Sequence, residues 1–393
     1  MSALESIPAT AVGDRLRRAR EEADLTQQDA ADKIDVARTT LVAIEKGQRR
    51  VRFDELQHLA KIYKTSVNAL LRQEAVHVDL VPRFRKLPDA ADNAANEAVA
   101  IMSHLAKAEV ELENLLGIKR TKNYPPERPI LRGDIKAQAE HDALELRQRL
   151  GLGNAPIGDI VTLLEMEMGV RVYVRRVDGR ISGLFAYDED LGPCILLNAN
   201  HPRERRTQSA AHECGHLVST RNMPEVLHTD EVMTSREERY ADAFGRAFLT
   251  PPRAVMQKFE EVRAGSDLLT RRRVIILAHF FGVSREAMVR RLEELELVKT
   301  GTWDWFQANG GITDEHVKQV LGDLSVADNQ KADADRPTTL RLNMLAAEAY
   351  RQDLLTEGQL SELLDLKRIE LRELLDDLEI EGSEADAAPT LLK

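Results

Sequence analysis

His212-Glu213-Cys214-Gly215-His216 is the segment that leaves the chain least freedom, because its two histidines can meet only if it is helical. On a helix, residues four apart stand about 40° from each other around the axis, so both imidazoles project from one face and can share a cation. Glu213, offset by roughly 100°, falls beside such a cation rather than on it, where a carboxylate can take a proton from activated water. Zinc lowers the pKa of its water toward about 7, which opens attack on a carbonyl and return of the proton to a leaving amine. Peptide-bond hydrolysis is the chemistry this pattern points to. The run from Arg205 to Ala211 can begin the helix, and Leu217 and Val218 give it an apolar side.

A catalytic zinc centre takes a third protein ligand and keeps one position open. Glu238, on a helix beginning near Arg236, is the expected ligand. Asp242 lies one turn on and shares its face, so it is expected to accept a hydrogen bond from a ligand imidazole. Glu237 is the rival ligand, although its i+4 neighbour is Ala241. His201 and His228 read as loop histidines, and Cys214, about 200° from His212, as a buried thiol. For the oxyanion, Tyr240 and His228 are weak candidates whose simpler reading is structural. Zn2+ is the expected cofactor; Mn2+ tolerates the same ligand types.

The rest of the chain sets limits around that centre. At 393 residues it exceeds what one hydrophobic core organises, so two or three domains are expected. A charged fraction of 31%, with no apolar run near the roughly 18 residues that span a bilayer, argues against a membrane protein. Residues 1–10 carry no basic segment followed by an apolar stretch, so no secretory signal is read there and the cytoplasm is the expected address. Two cysteines, Cys194 and Cys214, are too few for a disulfide framework or a zinc ribbon. Residues 12–86 hold 16 Lys or Arg against 12 Asp or Glu, while residues 301–393 hold 9 against 20, an excess equal to the whole chain's −11. Phosphate attraction is screened over about 10 Å, so only the N-terminal part can offer a local basic face to nucleic acid.

The periodicity gives a mainly α chain with one small α+β domain. Five short helices are expected at 12–23, 26–34, 37–46, 53–63 and 67–71, with Thr26 and Ser66 as N-caps. A long helix follows at 90–116, then a linker at 123–129 with three prolines. Helices at 135–150 and 157–168 precede β-prone stretches at 170–174, 181–187 and 194–198. Beyond the His212 helix, others are expected at 236–249, 270–281 and 284–297. A flexible stretch near 326–336 leads to two or three more helices, with Thr356 to Gln359 as a capping box and a disordered tail from 382. The expected domains are 1–75, 76–129 as a helical linker and dimer element, 130–300, and an acidic helical region at 301–393.

From residue 139 to about 298 the chain resembles the ImmA/IrrE family of zinc metallopeptidases. The likeness rests on the run from Arg147 to Leu152, on Ser209 to Leu217, on Glu238 to Pro251 and on Phe281 to Ala287. It implies a zincin-like domain with His212, His216 and Glu238 as ligands and Glu213 as base, cleaving repressor proteins to switch on mobile-element or stress genes. Gly245 stands where that family commonly has Ala.

The run from Leu25 to Ala31, followed by Val36 to Gly47, resembles the XRE or lambda-repressor-like helix-turn-helix family, with Asp35 in place of the usual turn glycine and Ala37 in place of the capping Ser. That resemblance implies a five-helix DNA-binding domain. Arg38, Thr39 and Thr40 would lie near base edges, with Gln27 and Gln28 in support and Arg49, Arg50 and Arg52 beside the phosphates. Such readers bind two half-sites as dimers.

The expectation is a transcriptional regulator whose partners are an operator duplex, a second copy of itself, and a protein substrate, a repressor or itself, which its own zinc endopeptidase cleaves on a signal. Two other readings stay open: a transcription factor whose peptidase-like domain senses a ligand or metal without hydrolysis, and an antitoxin-like regulator whose acidic C-terminal helices bind a basic partner.

Overall fold

The computed structural model describes residues 8–23, 25–63, 65, 70, 93–228, 235–322 and 339–379. It divides into two compact units, one drawn from Met1–Val78, His104–Arg120 and Leu340–Lys393, the other from Asp79–Ser103 and Thr121–Thr339. Outside the described residues lie the helix expected at 67–71 (Leu70 aside), positions 90–92, the stretch at 326–336 and the tail from 382.

The first unit opens with α1 (Ala9–Glu22), α2 (Gln27–Lys33), α3 (Arg38–Glu45) and α4 (Phe53–Ile62), closed around buried Leu16, Leu41, Ile44, Leu56 and Leu59. Thr26 caps α2 as expected: its hydroxyl accepts from the Asp29 N–H at 3.2 Å, and the Asp29 carboxylate accepts from the Thr26 N–H at 3.2 Å. Asp35 takes the left-handed conformation, φ 53°, that the tight turn into α3 demands. At Gly13 a Cβ would come within 2.5 Å of the Ile44 carbonyl oxygen, so only glycine lets α1 cross the end of α3 so closely. The long helix α5 (Asn93–Leu116) belongs to this unit from His104 onward and to the second unit before it.

The second unit carries α6 (Ile135–Arg149) and the short α7 (Ile160–Thr162), which widens into a π-type turn over Leu163–Met168. A mixed sheet comes next: β1 (Arg171–Arg175), β2 (Ile181–Asp188) and β3 (Gly192–Asn198), joined later by β4 (Glu225–His228) in the order β1-β3-β2-β4. β1 runs parallel to β3; the other two pairings are antiparallel. Helices α8 (Arg203–Ser219) and α9 (Arg236–Leu249) pack with the sheet in one core, in which Phe185, Ile195 and Leu197 join Ala210, Cys214, Leu217 and Phe244. Then follow α10 (Pro252–Arg263), α11 (Arg271–Phe281), α12 (Arg285–Glu294), α13 (Thr302–Ala308) and α14 (Asp314–Leu321). The chain returns to the first unit with α15 (Leu340–Arg351), α16 (Glu357–Leu364) and α17 (Arg368–Glu379). There Arg341 pairs with buried Glu109 at 2.5 Å and Glu113 at 2.7 Å, and Arg120 pairs with the same two carboxylates.

The compact units do not follow the boundaries expected at 129 and 300. Residues 123–129, expected as a linker, are strapped along the second unit. The Asn123 N–H donates to the Met168 carbonyl at 3.1 Å and the Arg128 N–H to the Val218 carbonyl at 2.8 Å, while Arg221 donates to the Pro125 carbonyl at 2.5 Å. Prolines forbid a helix there, but an extended chain whose polar groups find partners packs as firmly as one. Past residue 300, Phe306 and Ile312 complete a small core with Val274, Ile275 and Val289, which holds α13 and α14 against α11 and α12.

Candidate metal centre and nucleic-acid interface

The His212 and His216 side chains leave the same face of α8, as their spacing requires, and their Nε2 atoms stand 3.1 Å apart. Glu238 completes the group from α9: Oε2 lies 3.2 Å from His212 Nε2, and Oε1 lies 3.2 Å from His216 Nε2. These ligand atoms all fall within 4.8 Å of one another. Glu238 sits in the first turn of α9, where the Ser235 hydroxyl accepts from its N–H at 3.0 Å and the helix dipole favours its charge. Burial pushes the Glu238 carboxyl up, but the two imidazoles outweigh it and hold the group well below the usual carboxylate range.

Two glycines let α8 and α9 meet closely enough for this. A Cβ at Gly215 would stand 2.7 Å from Ala241 Cα, and one at Gly245 would stand 3.0 Å from the His212 backbone nitrogen. Gly245 therefore touches the backbone of a candidate ligand. Tyr240, fully buried two residues from Glu238, donates to Asp142 at 2.7 Å, and Arg128 donates to the other Asp142 oxygen at 2.8 Å. The Tyr240 hydroxyl thus ties α9 to α6 and the strap, which assigns it to structure and not to an oxyanion. The His228 side chain lies outside what is described.

Glu213 is fully buried beside the histidines. Its Oε1 lies over Gly183 of β2, where a Cβ would come within 2.9 Å of it. The β2–β4 pairing slips at this point, with Ile181 opposite His228 and Gly183 opposite Leu227, so Ser182 is bulged out of the ladder. Sequence reasoning missed Gly183, because its importance comes from a strand it shares with no helix motif. Cys214 is a buried thiol as expected, pushed by burial up to about 12.

Asp242 does not orient an imidazole. Its carboxylate receives Arg246 at 2.5 Å, because an i+4 arginine on the same helix reaches it first. The His216 ring is met instead by Thr220, whose Oγ1 lies 3.0 Å from Nδ1. In the tautomer that donates Nδ1–H to Thr220, Nε2 keeps its lone pair for a cation. Thr220 was legible in principle, one turn beyond His216 on the same face. His212 also lines a cleft of about 1090 Å³, together with Ser182, Leu227, Asp242, Arg246 and the first turn of α12. Two imidazoles, one carboxylate and an open side match the donor set of a divalent zinc site.

In the first unit, Arg38 and Thr39 are exposed on the first turn of α3 and Thr40 is half-buried. Gln27 is engaged within the fold: its amide donates to Glu45 at 2.8 Å, beside the buried Arg20–Glu45 pair at 2.6 Å. Gln28 is exposed and donates to Asp32 at 2.8 Å. Arg49 holds Glu55 through two bonds of 3.0 and 2.9 Å, and Arg52 pairs with Asp54. Arg50 is exposed. Arg49 and Arg52, both expected at phosphates, are thus engaged by carboxylates of α4.

Among the described residues no helix is long and apolar enough to cross a membrane. Residues 165–293 match the family described as the IrrE N-terminal-like domain, and residues 16–70 match the helix-turn-helix family. The cryptic phage CTXphi transcriptional repressor RstR of Vibrio cholerae is 28% identical over 90 residues, 22% of this chain and 80% of the repressor. The apo form of ComR from S. thermophilus and ComR from Streptococcus suis align over 96% and 97% of this chain and 99% and 97% of theirs, at 13% and 14% identity. Their TM-scores of 0.16 carry no argument. The helix-turn-helix match and the repressor relative support a DNA-binding regulator.

Proposed function

The chain couples an XRE-type helix-turn-helix segment to an IrrE N-terminal-like domain, and on that premise we propose that it is a cytoplasmic transcriptional regulator carrying its own metal-dependent endopeptidase. The observation that carries the reading is the convergence of His212, His216 and Glu238 within 4.8 Å beside a buried Glu213. His212 and His216 bind through Nε2 and Glu238 through its carboxylate, with Zn2+ the preferred ion and Mn2+ the alternative. When bound, the ion supplies Lewis acidity that activates water and polarises a carbonyl. Glu213 takes a proton at its carboxylate and passes it to the leaving amine nitrogen. Thr220 fixes the His216 tautomer, and the cleft beside His212 admits an extended segment of a protein substrate, a repressor or the chain itself. The N-terminal reader places a homodimer on two half-sites of an operator, with Arg38, Thr39 and Thr40 at base edges and Arg50 at a phosphate.

The experiment compares wild-type and Glu213→Gln chains, each loaded with Zn2+, for fragmentation of themselves and of repressors encoded beside them. Fragments that require both Zn2+ and Glu213 are expected. Equal fragmentation by both chains removes the peptidase reading and leaves the DNA reading standing.

A further inference from the structure

The turn between α2 and α3 recurs, position for position, between α16 and α17. Thr26 and Asp29 form the capping box of α2; Thr356 and Gln359 form that of α16, with the Thr356 hydroxyl accepting from the Gln359 N–H at 3.3 Å and the Gln359 amide oxygen from the Thr356 N–H at 2.9 Å. Asp35 takes the left-handed turn at φ 53°, and Asp365, at the same offset, takes it at φ 50°. The Val36 N–H closes on the Ala31 carbonyl at 3.1 Å, and the Leu366 N–H closes on the Ser361 carbonyl at 3.0 Å. Ala30, Leu41 and Ile44 are buried in the first module; Leu360, Leu371 and Leu374 are buried at the matching places in the second. Arg38 opens α3, and Arg368 opens α17.

A turn alone does not make a reader, and this chain shows why. The α11–α12 connection has the same left-handed residue, Gly282 at φ 64°, and the same closure, Val283 N–H to the Ala278 carbonyl at 3.0 Å. Yet Arg285, Glu286 and Ala287 of its second helix line the cleft beside His212, and Arg273 stands where the capping Thr is needed. At the start of α17, by contrast, Arg368, Ile369 and Arg372 are exposed, Ile369 at 72%, as is Lys367 just before it.

We propose that residues 356–379 are a second helix-turn-helix, which reads double-stranded DNA through the first two turns of α17. Arg368 and Ile369 reach base edges, the first as a hydrogen-bond donor and the second against a thymine methyl, while Lys367 meets phosphate. Residues 356–379 hold three Lys or Arg against eight Asp or Glu, so the expectation that only the N-terminal part is basic stands for the module as a whole, and the proposal rests on the local start of α17. Glu370 accepts from the Lys367 N–H at 2.9 Å and keeps its charge, while Glu357 is paired with Arg372 at 3.0 Å. Asp376 lies eight residues beyond Arg368, about 12 Å along the helix and past a screening length of about 8 Å, but exposed Glu373, at about 7.5 Å, and exposed Asp365 in the turn lie within it and oppose phosphate. A basic first turn carried on an otherwise acidic module binds only where the base contacts add to the phosphate contacts, so sequence preference is its signature.

The test uses the full chain and a random-sequence duplex pool. Wild-type protein is expected to select a motif with two separable blocks. Arg368→Glu should erase one block and weaken binding to the selected duplex about tenfold or more, while Arg38→Glu erases the other. Ile369→Ala, which leaves charge and fold untouched, should relax preference at a thymine within the block that depends on Arg368. If Arg368→Glu and Ile369→Ala leave motif and affinity unchanged, the second reader is overturned, including the case in which α17 docks a basic protein. Because Arg38→Glu is scored separately, failure of the N-terminal reader is distinguishable from failure of this one.

Discussion

Gly215→Ala puts the helix contact behind the candidate metal centre to its hardest test. The added methyl would stand 2.7 Å from Ala241 Cα, whereas carbon atoms settle at about 3.5–4.0 Å, so α8 and α9 must part by about 1 Å. Zinc–oxygen bonds are about 2.0–2.2 Å, with a tolerance near 0.2 Å, so a 1 Å retreat of α9 takes Glu238 out of coordination. The metal-free fold suffers less. Overpacking costs about 1–3 kcal/mol, and removing a mid-helix glycine returns about 1 kcal/mol, for a net loss of about 0–2 kcal/mol. The assay is thermal unfolding with and without zinc. At a zinc concentration 100 times the wild-type Kd, binding stabilises by about 2.7 kcal/mol; a tenfold weaker site leaves about 1.4 kcal/mol. Gly245→Ala is the graded control, because its methyl meets the His212 nitrogen at 3.0 Å and needs only a few tenths of an ångström of relief. If Gly215→Ala keeps the full zinc-induced shift, or Gly245→Ala loses more of it, the close helix contact does not set the site.

Thr220→Val keeps the shape and removes the acceptor for His216 Nδ1; zinc affinity measured by chelator competition should fall about 10–100-fold, and an unchanged value would mean that the hydroxyl does not orient the ring. Asp35→Gly relieves a left-handed residue and should stabilise the N-terminal helices by about 1 kcal/mol in denaturant melts, where no gain would refute the strain. Burial pushes the Glu55 carboxyl up, but Arg49 and the Arg52 N–H outweigh it and hold the group below 4.5, so its contribution is present above that pH and is lost as pH falls through the lower, folded value. Glu55→Gln should therefore lower stability at neutral pH and flatten the acid limb of a helical-signal titration; an acid limb identical to wild type would remove Glu55 from the account.

The candidate metal centre was legible because its information is local. The i, i+4 spacing of His212 and His216 fixes a shared face, and Glu238 heads the next amphipathic helix. What escaped is what depends on partners elsewhere. Asp242 was expected to face an imidazole, but Arg246 claims it from the following turn. Gln27 and Arg49 were expected at DNA, and the structure bonds them to Glu45 and Glu55 while leaving them partly exposed. Among the elements, β4 is four residues long and carries too little alternation to announce itself. α10 went unread because Pro252 looks like a breaker, although proline at the first position starts a helix as readily as it ends one. The strap at 123–129 was read as a linker because composition records the absence of a helix, not the presence of hydrogen-bond partners.

Metal stoichiometry and coordination decide the matter most directly. On the full chain, titration with Zn2+ followed by X-ray absorption should find one ion per chain, with two nitrogen ligands and one carboxylate oxygen from the protein, and Glu238→Gln should weaken binding at least tenfold. Substoichiometric zinc, or an affinity and ligand set that Glu238→Gln leaves unchanged, would contradict the account.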